Sequence, residues 1–131
     1  MTDDEVIARR ILARLQDAVA TKDLDRMAAV FAEDAVLFGT AAANFGSTQT
    51  EDYLARVAAQ DGTIRWDWER VECLVSRPDL RAFAAVGTVG LDDGQGQPIG
   101  ARGSIRMTGV AVLEGGEWRL RHFHGSLPEA G

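Results

Sequence analysis

The sequence predicts an α+β fold: three N-terminal helices packed on a strongly curved, mainly antiparallel sheet that encloses an internal pocket. Three observations lead there. Helical periodicity comes first along the chain and strand periodicity last, the order of segregated α+β folds. Short turns join the last four strands, which therefore form an antiparallel meander. Those strands are long, on the order of ten residues against a usual five or six. Long strands must bend, and Gly87, Gly90, Gly103 and Gly109 are the bend points on offer. The 131 residues, 46% of them apolar, fit a single domain over 1–131 with one core.

Each element has its own local signal. Thr2 and Glu5 stand at capping-box spacing. Behind them Ile7, Ile11, Leu15 and Ala18 form one apolar stripe, which predicts a helix over 3–20. Asp23 caps a shorter helix with apolar spacing Leu24, Met27, Ala28, Phe31. Asp34 is read as a cap at the end of that helix. Ala35, Val36, Leu37 and Phe38 read as a short buried strand ending at Gly39-Thr40, with a small-residue loop over 41–47. Thr48 and Glu51 make a second capping-box pair before the stripe Tyr53, Leu54, Val57, Ala58, and Gly62 closes that helix.

From Ile64 the period becomes two. Ile64, Trp66 and Trp68 hold one parity, then Val71, Cys73 and Val75 hold the other. Such a switch signals a bulge, or a strand buried differently at its two ends. Pro78-Asp79 is a turn, 80–91 a second strand, 92–98 a hairpin loop and 99–113 a third strand. Gly115-Gly116 is a two-residue hairpin turn leading into a last strand over 118–126.

Composition removes several classes of function. The formal charge is −6, with 20 acidic against 14 basic side chains. Such a chain gains nothing from counterion release on a phosphate backbone, so no nucleic-acid partner is expected. The acidic start, Met1 to Glu5, lacks the apolar segment of a signal peptide. No apolar run nears the roughly 20 residues of a membrane span, so no membrane association is expected. Cys73 is alone, which excludes an intrachain disulfide and suits a reducing compartment, and a cytoplasmic location is expected.

The order helix, helix, short strand, helix, four-strand meander resembles the nuclear-transport-factor-2-like superfamily. Local matches bring it nearer to the SnoaL-like, ketosteroid-isomerase-related proteins. These are Phe38-Gly39-Thr40 after the first strand, then Arg106-Met107-Thr108, Trp118-Arg119-Leu120 and His124-x-Ser126-x-Pro128. The resemblance implies a cone with a pocket between sheet and helices, and a homodimer through the outer sheet face. Ketosteroid isomerase pairs a general-base Asp with a Tyr and a protonated Asp. Here the only tyrosine is Tyr53, on the third helix, so that pattern is not matched. The family spans isomerases, cyclases, hydrolases, dehydratases and ligand binders, so the fold alone does not select a function.

Candidate chemistry centres on the last strand. In a regular strand His122, His124 and Ser126 share a face with Trp118 and Leu120. Two imidazoles and a hydroxyl beside apolar groups read as a pocket wall. His124, then His122, are candidate acid–base residues because imidazole titrates near neutral pH. The plainer alternative is a pair hydrogen-bonded to neighbouring strands. Asp67 faces away from Trp66 and Trp68. It is a candidate base inside the pocket if the tryptophans lie at an interface, and an outer residue beside Arg65 if they line the pocket. Glu72 shares the tryptophans' parity only if no bulge intervenes. Phe38, Thr40, Tyr53, Trp66, Trp68, Glu72, Met107, Trp118 and Ser126 are the candidate ligand contacts.

A metal at His-x-His would need a third ligand such as Asp67 or Glu72, and no spacing fixes one, so no metal and no cofactor is expected. Ser126 lacks a nucleophile elbow and Cys73 reads as packing. The expected function is a small-molecule pocket, of isomerase, cyclase or hydrolase type, working by acid–base chemistry on a small apolar or aromatic ligand. A non-catalytic binder of a hydrophobic ligand and a homodimerising association module are the alternatives. Val89, Val110, Val112 and Phe123, placed on the outer face, would supply the homodimer contact.

Overall fold

A computed structural model describes residues 2–39 and 42–128. α1 (Asp3–Thr21) starts where Thr2 accepts a hydrogen bond from the Glu5 amide at 3.2 Å, and ends on Lys22 in the left-handed region, φ 56°. α2 (Leu24–Ala29) is capped by Asp23, whose carboxylate accepts from the Asp25 and Arg26 amides. Both caps satisfy amides that a helix start leaves without partners.

α2 is shorter than its apolar spacing suggests. Phe31 already belongs to β1 (Phe31–Phe38), and Asp34 lies in that strand, ion-paired to Arg121 at 3.1 Å. The expected loop after β1 contains a three-residue strand, β2 (Ala43–Phe45), antiparallel to β1. α3 (Gly46–Ala59) follows β2, so it lies between strands and two helices alone precede the sheet. α3 starts earlier than its capping-box pair predicted. Thr48 and Glu51 are inside the helix, and the Phe45 amide donates instead to the Gln49 side chain at 2.8 Å. The helix ends at Ala59, before Gly62, whose φ of 79° serves the turn into the next strand.

The meander matches its sequence signals closely. It comprises β3 (Thr63–Arg77), β4 (Leu80–Asp92), β5 (Pro98–Glu114) and β6 (Glu117–Ser126). Gly115 and Gly116 both have positive φ, 56° and 82°, as a primed two-residue hairpin requires. The sheet order is β2-β1-β6-β5-β4-β3, with β1 parallel to β6 and the other pairs antiparallel. α1 packs on β3, β4 and β6, and α3 on β1 and β2, which defines an inner, helix-covered face. Ile11, Leu12 and Leu15 of α1 meet Val71, Phe83, Met107, Leu120 and Phe123 of the sheet in one core cluster.

Two of the sheet's register shifts decide which candidate site residues face that core, and a further one between Cys73 and Val75 leaves Val75 exposed, off the parity expected with Val71 and Cys73. In β3, Trp68 pairs with Gly87 and Arg70 with Val86, so Glu69 is the extra residue. The predicted parity switch is this bulge. At Gly87 the backbones come so close that a Cβ would overlap the Asp67 carbonyl. In β6, Leu120 pairs with Ala111 and His122 with Val110, so Arg121 is the extra residue. An extra residue turns everything beyond it to the opposite face.

Candidate functional site

The β6 bulge overturns the expected facing of the last strand. Leu120 is 0% exposed and Phe123 5%, so the inward register passes from even to odd numbers at Arg121. Gly125 continues it. His122, His124 and Ser126 therefore lie on the outer face, opposite to Leu120. The His122 Nδ1 is 2.8 Å from the Val36 carbonyl oxygen, so this nitrogen carries the proton and donates. Phe38, expected in the pocket wall, stands on the same outer face. Its ring is 5.4 Å edge-on from both imidazoles and 5.5 Å from Phe45.

The β3 bulge places the candidate carboxylates outside as well. Trp66 and Trp68 pack against the core, so Asp67 faces out and pairs with Arg65 at 3.1 Å. Past Glu69 the inward residue is Val71, and Glu72 is exposed, paired with Arg70 at 3.0 Å. β3 and β6 are separated by β4 and β5. Three strand spacings put their backbones about 14 Å apart, too far for Asp67 or Glu72 to complete a metal site with the imidazoles. Among the described residues no three metal-ligating side chains come together.

The remaining predicted contacts scatter. Met107 is sealed in the core. Trp68 borders a groove against α1. Trp118 lies in another groove against α1, with the Arg81 guanidinium 5.0 Å over its ring. Thr40 falls outside the described residues. Of the four residues expected to form an outer apolar patch, Val110 and Val112 face out, while Val89 and Phe123 face in.

Glu72, Met107, His124 and Ser126 line one hollow on the outer face, and on the inner side two more predicted residues meet. Tyr53 of α3 and Trp66 of β3 line a hollow of about 350 Å3 on the inner side, together with Ile105, Phe123, Leu127 and Gln60. The Trp66 and Phe123 rings meet edge-on, 6.3 Å apart. Gly39 lies against the Tyr53 hydroxyl and leaves no room for a Cβ there. Burial pushes the Tyr53 phenol above its ordinary pKa, partly offset by the Arg56 guanidinium 5.8 Å from its ring. The phenol is therefore neutral and a hydrogen-bond donor around neutral pH.

α1 sets the Trp66 wall in place. β3 is an edge strand, so one row of its backbone groups has no strand partner. Gln16 supplies the missing partner: its side-chain oxygen accepts from the Trp66 amide at 2.7 Å, and its nitrogen donates to the Ile64 carbonyl at 2.9 Å. Arg9 donates to the Trp68 carbonyl at 3.3 Å. Sequence reading passed over Gln16 because a lone polar residue on a helix looks like a solvated one. Phe123 and Ile105 were missed with the β6 facing, although Phe123, a large apolar residue at odd parity, was the available signal.

The SnoaL-like domain family matches residues 8–130. The chain belongs to that family. No protein of curated function matches it in sequence. Among solved structures, a proposed calcium/calmodulin-dependent protein kinase II association domain from Xanthomonas campestris superposes with a TM-score of 0.80 at 22% identity, covering 94% of this chain and 87% of its own. A proposed dehydratase of the NTF2-like family from Streptomyces avermitilis gives 0.80 at 14% identity, covering 97% of each chain. A proposed aromatic ring hydroxylase from Novosphingobium aromaticivorans gives 0.80 at 15%, covering 98% of this chain and 91% of its own. At such identities the likeness carries the fold alone. Among its described residues this SnoaL-like chain thus has an α+β fold, a six-stranded sheet and three helices, and no described helix is long and apolar enough to cross a membrane.

Proposed function

We propose that this SnoaL-like protein binds a small apolar or aromatic molecule in the inner hollow without transforming it. The reading rests on one observation: the wall is aromatic and aliphatic, and Tyr53 is the only ionisable side chain among its described lining residues. A site of that composition selects by shape and apolar area, with one or two polar groups fixing orientation. A volume of about 350 Å3 suits a ligand of one or two rings. A neutral phenol donates to a carbonyl or ether oxygen, so an apolar ketone is the simplest complement. Proton-transfer catalysis needs a base as well as an acid. The described lining offers neither carboxylate nor imidazole, since Asp67, Glu72, His122 and His124 sit on the other face. The proposed dehydratase and hydroxylase among the similar structures speak for a small-molecule ligand, while identities of 14% and 15% carry no shared reaction.

The test is titration with acetophenone and with ethylbenzene, followed by tryptophan fluorescence. Tyr53→Phe is expected to weaken acetophenone by about two- to tenfold, the worth of one net hydrogen bond, and to leave ethylbenzene unchanged. Equal effects on both ligands, or no saturable binding of either, would remove the reading.

A further inference from the structure

A further hollow, of about 320 Å3, lies at the margin of the sheet, between α2, the start of β1, the first turns of α3 and the β5–β6 hairpin. Its apolar wall is Ala28, Phe31 and Ala32. One buried polar group borders it without a partner. Thr50 of α3 lines the hollow, is 3% exposed, and its Oγ1 makes no hydrogen bond. A helical threonine commonly returns its hydroxyl to a carbonyl of the preceding turn, and Thr50 does not. A buried hydroxyl left alone costs free energy, which a partner entering the hollow would restore.

The charge around this hollow is one-sided. Glu33, Glu51 and Glu114 line it, and none has an ion-pair partner among the described residues. Arg119 borders it too, but its guanidinium is engaged: Nη1 donates to the Ala29 carbonyl at 2.7 Å and Nη2 pairs with Glu117 at 3.0 Å. Three free carboxylates thus stand against one cation already neutralised by a fourth. The three do not come together as metal ligands, so they suit a cation with a body of its own over a bare ion. Ala28, Thr50 and Glu51 belong to α2 and α3, so the anchoring wall is on the helix layer and does not need the outer sheet face open.

We propose that this marginal hollow binds a small organic amine as its ammonium ion. The apolar body lies on Ala28, Phe31 and Ala32, the Thr50 hydroxyl accepts a hydrogen bond from the ammonium, and the surrounding carboxylates hold its charge. An ammonium group offers donors alone, and it meets carboxylates that only accept and a hydroxyl free to accept. An alcohol satisfies the hydroxyl but gains nothing from the carboxylates, and an acid is repelled by them. The site shares no described lining residue with the inner hollow, so it stands or falls independently of the ketone reading.

The test uses benzylamine, with benzyl alcohol as its uncharged counterpart, and backbone amide NMR shifts to locate binding. Saturable benzylamine shifts are expected at Phe31, Glu33, Thr50 and Glu51, with affinity falling as salt rises. Thr50→Val keeps the shape of the side chain and removes the hydroxyl. It is expected to raise the urea midpoint of the ligand-free protein, because a buried group without a partner is lost, and to weaken benzylamine about two- to tenfold. Glu51→Gln, an exposed change, is expected to weaken benzylamine about two- to fivefold and to leave benzyl alcohol unchanged. Benzyl alcohol binding as tightly as benzylamine, or Thr50→Val leaving benzylamine affinity unchanged, overturns the proposal. A Thr50→Val protein less stable than the parent without ligand overturns it as well, since the hydroxyl would then be served within the fold. Shifts confined to Tyr53, Ile105 and Phe123 would assign benzylamine to the inner hollow and likewise end the proposal.

Discussion

β5 and β6 build both faces of the sheet, and the two faces differ in kind. Inside, Ile105 and Phe123 contribute apolar area next to Trp66 and a single phenol. Outside, the same strands offer Arg106, Thr108, His124 and Ser126 to solvent. The inner site is walled by α3 and by two aromatic rings that meet edge-on. The outer one is a shallow grid whose members are fixed by register alone. What assigns side chains to each face is the bulge at Arg121. Were Arg121 paired in an unbroken ladder, the imidazoles would face the helices, and Phe123 would face water.

That facing can be tested directly. Deleting Arg121 would not reverse it, because Leu120 would then be followed by His122 and the alternation Leu120 in, His122 out, Phe123 in is kept. Phe123→Asp, which places a charge at the inward position, is expected to cost more than about 3 kcal/mol, read as a large loss in the urea midpoint or loss of a cooperative transition. A Phe123→Asp variant within about 0.5 kcal/mol of the parent would mean that Phe123 does not face the core. A medium effect sharpens the inner half of the comparison. Gln16→Ala leaves the Trp66 amide and the Ile64 carbonyl at the sheet edge without protein partners. It is expected to cost about 1–2 kcal/mol and to red-shift tryptophan emission as water reaches that edge. Unchanged emission would show that α1 does not hold this wall. The smallest effect separates the bulge from its side chain. Arg121→Ala keeps the bulge and loses only an exposed ion pair to Asp34, so less than about 0.5 kcal/mol is expected. A loss as large as that of Phe123→Asp would assign the strand's facing to that ion pair.

Local signals carried most of the fold. The Thr2 and Asp23 caps, the Gly115-Gly116 turn and the limits of the four long strands each rest on chemistry within a few residues. The β3 bulge was legible for the same reason: its apolar parity visibly changes between Trp68 and Val71. Where tertiary contacts decide, the sequence was a poorer guide. Phe31 fits a helical stripe after Leu24, Met27 and Ala28, yet it is paired with Leu120 of β6 in β1. β2 is too short to carry a period of its own. The β6 bulge left the same trace as that in β3, an apolar jump from Leu120 to Phe123. The two histidines continued a regular alternation and drew the reading past it. Of the candidate site, Tyr53 and Trp66 were therefore legible, while Phe123 and Ile105 needed the bulge.

The Gln16 bracket has a consequence for life at high concentration. A sheet edge with free amides and carbonyls is a template on which other chains can add strands and grow fibrils. Here one edge is β2, three residues long, and the other is β3, whose stretch from Ile64 to Trp68 is already occupied by side chains of α1. The helix that shapes the binding wall also denies lateral accretion part of its longest edge strand.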